Sequence, residues 1–123
     1  FVPFRTCIEG GVRTVMMGHI IVPFLDDQLP ASLSPSAVNG LVRQTWGFDG
    51  LITTDALDMG AITSTYSSSQ AAVMAVQAGN DVVLLPANVD EAIVSAALRT
   101  SSEMVGRVPL LDFRLFRVLV SSR

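Results

Sequence analysis

The sequence has 123 residues, half of them apolar and only 15% charged, which suits one globular domain and argues against a disordered chain. All eight basic residues are Arg and the net charge is −3. No basic cluster exists, so nucleic acid is not an expected partner.

The first helix is expected from Pro3 to Glu9, with Pro at a first helical position and Gly10-Gly11 to end it. Cys7, the only cysteine, shares an apolar pattern with Phe4 and Ile8 and reads as a small core residue. Thr14–Ile20 (TVMMGHI) then reads as a buried strand, and Asp26 to Ser34 as one long connection. Ser34-Pro35 is an N-cap and first-turn pair. Val38, Leu41 and Val42 follow at helical spacing, and the helix ends near Trp46-Gly47. Leu51–Asp55 (LITTD) is the second strand. After a turn at Ser67-Ser68-Ser69, a helix to Ala78 places Ala72, Val73 and Val76 on one face, and Gly79 stops it. Asp81–Pro86 (DVVLLP) is the third strand. Asn88 with Glu91 resembles a capping box before a stripe of Ala92, Ile93, Ala96 and Ala97. A last helix is expected from about Asp112, with Leu115, Val118 and Leu119 inward. No apolar run is long enough to span a membrane.

The three strands lack polar/apolar alternation, which suits parallel strands covered on both faces. The order α-β-α-β-α-β-α-α predicts an α/β fold. Three parallel strands leave both sheet edges unpaired. The chain is therefore an open sheet with further strands or a piece of a larger barrel.

In either architecture the active site lies at the C-terminal ends of the strands. His19, Asp55 and Pro86-Ala87 stand there. Asp55 places an acid at the rim of an apolar strand; it could equally open a loop and cap the next helix. His19, the sole histidine, reads as a pocket residue or as a satisfied, half-buried side chain. Asp58 suits a solvated cap. Asp26-Asp27 could bind a metal, although neighbouring loop acids are more commonly solvated. No His/Cys cluster and no Gly-rich phosphate loop is present. A rim Asp fits a glycosidase nucleophile or a phospho-accepting receiver domain. The receiver needs an acidic pair after the first strand and a Lys after the last. This chain has no Lys, and its first strand runs into Gly18-His19.

The residues resemble a family. Val15-Met16-Met17-Gly18-His19-Ile20 with Pro23 and Asp26 is similar to the "V-M-x-x-H-I…P…D" segment of family-3 β-N-acetylhexosaminidases. Pro30-Ala31-Ser32-Leu33-Ser34 resembles their "PASLS". Leu41-Val42-Arg43 with Gly47-Phe48-Asp49-Gly50 resembles "LLR…GF-x-G". Thr54-Asp55-Ala56-Leu57-Asp58-Met59-Gly60-Ala61-Ile62 resembles the nucleophile segment "TDAL-x-M-x-AI", where family-3 β-glucosidases usually read "SDW". Ala78-Gly79-Asn80-Asp81 resembles "AG-x-D", with Asn80 in place of a common apolar residue. Leu111-Asp112 through Arg117-Val118-Leu119 resembles the closing "LD…R-[IV]-L" helix.

The resemblance implies a partial (β/α)8 TIM barrel, with residues 1–123 as the C-terminal portion of the catalytic barrel carrying strands six to eight. It implies retaining hydrolysis of a terminal β-linked N-acetylhexosamine, with Asp55 as nucleophile, His19 and Met59 lining the sugar pocket, and no cofactor. The implied partner is an N-acetylglucosamine-containing glycan or muropeptide. The family's acid/base, a His paired with an Asp on a "KHFPGHGDT"-like loop, is absent from this chain along with the rest of the barrel. The 123-residue chain is therefore expected to be inactive and poorly soluble alone. The alternatives are a non-catalytic remnant, a split barrel subunit or a β-glucosidase.

Overall fold

A computed structural model describes residues 1–90. The helical stripe from Glu91 and the last helix from Asp112 lie outside the described residues. Pro3 opens helix α1 (Val2–Glu9), and Gly11, at φ 86°, turns the chain out of it. Cys7 is exposed, which corrects its expected place in the core. Of the Phe4, Cys7, Ile8 pattern, only Ile8 packs against buried residues. Helical spacing marks an apolar stripe without saying what covers it.

Strand β1 spans Thr14–Met17 and ends short of the expected Ile20. The chain leaves the ladder at Gly18, and the ring of His19 makes side-chain bonds instead. What read as a plain connection contains an antiparallel pair, β2 (Ile21–Val22) with β3 (Asp26–Pro30). Asp26 folds this segment: its Oδ1 accepts the N–H groups of Gln28 and Leu29, both at 3.0 Å. A buried 3-10 turn (Ala31–Leu33) follows.

The helix after Ser34-Pro35 begins as expected, with Ser34 Oγ accepting the Ala37 N–H at 3.3 Å. It continues as a π-helix (Ser36–Thr45). Its wider turn shows in the bond from the Trp46 N–H to the Leu41 carbonyl at 2.9 Å, five residues back. Ala37, Val38 and Val42 form its buried side.

Strand β4 (Leu51–Ala56) lies between β1 and β5 (Val82–Leu84), parallel to both. Register runs from Thr14 opposite Leu51 to Met17 opposite Thr54. Against β5 the register shifts between Thr53 and Ala56. There the Thr54 hydroxyl accepts the Leu84 N–H at 3.0 Å, a bond that a ladder carbonyl would otherwise take. The sheet is thus α/β in kind, with parallel strands joined through helical segments.

A one-turn helix α2 (Gly60–Thr63) precedes α3 (Ser68–Ala78). Ser67 and Gln70 close a capping box at the start of α3. The buried side of α3 is Ala71, Ala72, Ala75 and Ala78, while Val73 and Val76 are only half-buried. Small side chains let the helix settle closely against the 3-10 turn. Gly79 ends it at φ 106°, where a Cβ would lie 2.3 Å from Asn39 Oδ1.

The sheet's two faces differ. Met17, Ile52 and Thr54 are buried beneath the helices. On the opposite face Met16 is 56% and Leu51 49% exposed. The expectation that both faces are covered therefore holds for one face among the described residues. No helix among them is long and apolar enough to cross a membrane.

Candidate active site

Alternation along β4 puts Leu51, Thr53 and Asp55 on the uncovered face and Ile52 and Thr54 on the helix face. Asp55 stands one residue from the strand's C-terminal end and is half-buried. Its Oδ1 accepts the backbone N–H of Ala56 at 2.8 Å. No described residue bonds to its other oxygen. Asp55 caps no helix: α2 begins at Gly60 with Met59 before it.

His19 sits just past β1, next to Asp55 through one residue. Its Nε2 lies 2.9 Å from the Ala56 carbonyl, and its Nδ1 2.7 Å from Ser32 Oγ. A carbonyl only accepts, so Nε2 carries the proton. In the neutral ring Nδ1 then accepts, and the Ser32 hydroxyl donates. Both ring nitrogens are therefore bonded to protein. Met59 is 44% exposed at the same rim. Its N–H reaches the Ala56 carbonyl at 3.2 Å.

Three contributors escaped the sequence reading. Ser32 is fully buried and orients His19. The Asn80 side chain donates from Nδ2 to the carbonyls of Ser32 and Ala75, each at 2.8 Å. Its Oδ1 is buried with no hydrogen-bond partner among the described residues. Leu85, directly after β5, holds φ 42°, a left-handed conformation that costs a branched side chain energy. The polar residue before Asp81 was a visible signal for Asn80; nothing local marks Leu85.

Asp26 does not join this group as half of a metal pair. Its Oδ2 accepts the Ser34 hydroxyl at 2.7 Å. That bond, then the Leu29 and Gln28 N–H groups, holds its carboxyl below the ordinary value of 3.8. Among the described residues no group of three or more His, Cys, Asp or Glu is placed to hold a metal. Asp58 is exposed.

A cleft of about 460 Å³ opens at the other end of the sheet, lined by Arg13, Thr14, Arg43, Asp49, Leu51 and Asp81 among others. Two of its charged groups, Arg43 and Asp81, are engaged with each other and with the backbone. Arg43 pairs with Asp81, and its Nη1 also donates to the Phe48 and Gly50 carbonyls. Asp81 also accepts the Ile52 N–H at 2.7 Å. This end fastens the strands; the uncommitted carboxylate oxygen is at the other.

The sequence model described as "Glycosyl hydrolase family 3 N terminal domain" matches residues 1–111. The chain belongs to this family. It is 36% identical over 123 residues to a β-hexosaminidase of Chromobacterium violaceum, covering 99% of this chain and 33% of that protein. It is 35% identical over 100 residues to a β-N-acetylglucosaminidase/β-glucosidase of Cellulomonas fimi, covering 73% of this chain and 18% of that protein. The family-3 β-N-acetylglucosaminidase structure from Paenibacillus sp. str. FPU-7 superposes with a TM-score of 0.66 at 29% identity, over 97% of this chain and 27% of that one. The chain thus spans a third or less of the length of these proteins.

Proposed function

We propose that Asp55 is the nucleophile of a retaining glycosidase acting on terminal β-linked N-acetylhexosamine, in an N-acetylglucosamine-containing glycan or muropeptide. The reading rests on one observation. A carboxylate with one oxygen that no described residue bonds stands at the C-terminal end of the central parallel strand, where α/β enzymes do their chemistry. The names of the relatives supply the substrate class. In this reaction Asp55 attacks the anomeric carbon as the glycosidic C–O bond breaks. The leaving oxygen takes a proton from a general acid, and water later cleaves the glycosyl ester and returns the carboxylate. Met59 borders the sugar at the exposed rim.

His19 is not the proton donor, because Nε2–H is committed to a carbonyl and Nδ1 to a hydroxyl. It is the only histidine in the sequence. We place residues 1–123 as strands six to eight of a (β/α)8 barrel, with the uncovered sheet face as barrel interior. Two features support this: the apolar exposure of Met16 and Leu51, and the outer edges of β1 and β5, unpaired among the described residues. On this reading the chain alone is nearly inert, since general-acid assistance is worth about 10²–10⁴-fold.

The test uses a complete barrel, made by exchanging this chain for the matched segment of the Chromobacterium violaceum relative. A fluorinated N-acetylglucosaminyl donor traps the intermediate, and mass spectrometry locates the label. Label is expected on Asp55; label elsewhere sinks the assignment. Native-like turnover of an aryl N-acetylglucosaminide by the 123-residue chain alone would refute the barrel-piece reading.

A further inference from the structure

Resting on Asp55 as nucleophile, we propose that His19 is a positioning residue that locks the backbone beside Asp55, and that it makes no polar contact with the sugar. The geometry is a continuous chain of hydrogen bonds. Asn80 Nδ2 donates to the Ser32 carbonyl, and the Ser32 hydroxyl donates to His19 Nδ1. His19 Nε2–H donates to the Ala56 carbonyl. The peptide that carries this carbonyl is also held at its other end, where the Leu57 N–H donates to the Leu84 carbonyl at 2.9 Å. That peptide unit is therefore clamped between the segment after β1 and the end of β5. The adjoining peptide supplies the Ala56 N–H that fixes Asp55 Oδ1.

The histidine matters because Ala56 terminates β4. Beyond it the ladder no longer sets the backbone, and among the described residues the Ala56 carbonyl is shared by His19 and the Met59 N–H at 3.2 Å. Without the His19 bond, the peptide beside Asp55 keeps one long bond on its carbonyl side. The Ala56 N–H can then swing, and the carboxylate with it. A misplacement of about 1 Å costs on the order of a hundredfold in rate. Only the tautomer protonated on Nε2 does this. The Ala56 carbonyl enforces that tautomer because it can only accept, and the Ser32 hydroxyl, free to rotate, completes it by donating to Nδ1. A fully buried Ser bonded to the imidazole, its own backbone held by a buried Asn, fits this role better than a flexible ligand contact.

Two measurements test the proposal. In the complete barrel, ¹⁵N-labelled histidine with the His19 signals assigned by their loss in His19→Gln reports the ring's proton state. A slowly exchanging proton on Nε2, unmoved by added N-acetylglucosamine, is expected; a proton on Nδ1, or a freely exchanging ring, overturns the proposal. Labelling kinetics in the complete barrel supply the second measurement. His19→Phe should lower the maximal labelling rate about 10–100-fold at an unchanged half-saturating donor concentration. His19→Gln, whose amide N–H reaches as far as Nε2, should regain most of that rate. A raised half-saturating concentration with the maximal rate kept, in both variants, makes His19 a sugar contact and refutes the proposal. If His19→Phe does not fold, His19→Asn, too short to reach the Ala56 carbonyl, takes its place with the same expected drop in maximal rate at an unchanged half-saturating concentration. Wild-type label away from Asp55 refutes the proposed function. Label on Asp55 with indifference to His19→Phe refutes the positioning role alone.

Discussion

The two ends of the parallel sheet use polar groups in opposite ways. At the N-terminal end Arg43 and Asp81 are spent on each other and on the backbone. Arg43 joins Asp81 and the carbonyls of Phe48 and Gly50, its guanidinium lies 5.7 Å from the Phe48 ring centroid, and Asp81 holds the Ile52 N–H. At the C-terminal end Asp55 keeps an oxygen that no described residue bonds, Met59 is exposed and Leu85 is strained. One rim fastens the strands and the other is where we propose that the sugar binds, the division expected if the sheet belongs to a parallel barrel. Substitutions at the two rims should separate accordingly.

The largest expected effect is at the reactive rim. Asp55→Asn keeps an oxygen to accept the Ala56 N–H and so should leave the urea midpoint unchanged. In a complete barrel it should reduce turnover by about 10³-fold or more, as loss of a nucleophile does. A variant that loses stability as much as activity would erase the contrast between the rims.

At the fastening rim the reverse is expected. Asp81→Ala leaves the Ile52 N–H, inside a fully buried residue, without its acceptor and leaves Arg43 without its charge partner. The loss should be about 2 kcal/mol, nearly all of it from the unmet N–H, because the ion pair is part-exposed and screened. The urea midpoint reads it. Arg43→Lys should also destabilise, since an ammonium lacks the planar fork that serves two carbonyls and a carboxylate at once. Full rescue by Lys would show that charge alone fastens this end.

This contrast was only half legible in the sequence. Asp55 could be placed at a strand end because Leu51-Ile52-Thr53-Thr54 is an apolar run closed by an acid, and that signal is local. Arg43 and Asp81 stood in recognisable segments, but their pairing is set by the crossover between β4 and β5 and by the turn at Phe48–Gly50, which no spacing shows. The same limit explains α3. Its valines were the obvious apolar face, yet alanines are buried, because what decides is how closely the helix approaches the 3-10 turn. The β2–β3 hairpin hid for a different reason. Its strands are short and polar, and it is shaped by Asp26 bonding to backbone N–H groups rather than by apolar alternation. His19 was found, but its role depends on Ser32, thirteen residues away, and on a carbonyl that every residue type carries.

Between the rims, Gly79 tests how tightly α3 is seated. Gly79→Ala must hold φ 106° with a side chain and push Asn39 away. The conformational part alone is worth about 1–2 kcal/mol. Adding Asn39→Ala should recover the steric part and leave the conformational part, and the double-mutant cycle separates them. Complete recovery would mean that the backbone relaxes out of the left-handed region.

The smallest effect belongs to Asp26, which shapes the hairpin leading into the reactive rim. The Ser34 hydroxyl, then the Leu29 and Gln28 N–H groups, bond to its ionised form and lower its pKa from 3.8. Unfolding returns the carboxyl to the ordinary value, so the unfolded chain binds the proton more readily. The stabilisation is complete above the unfolded value and is lost as pH falls through the lower folded value. Asp26→Asn removes this titration. Its urea midpoint should fall below wild type at neutral pH, and the gap should narrow below the ordinary carboxyl range. A gap that widened in acid would reverse the sign and show that the Ser34 bond favours the neutral carboxyl. The hairpin would then sit beside the reactive rim without an ionised anchor, and the division of labour between the two ends would be weaker than the hydrogen bonds imply.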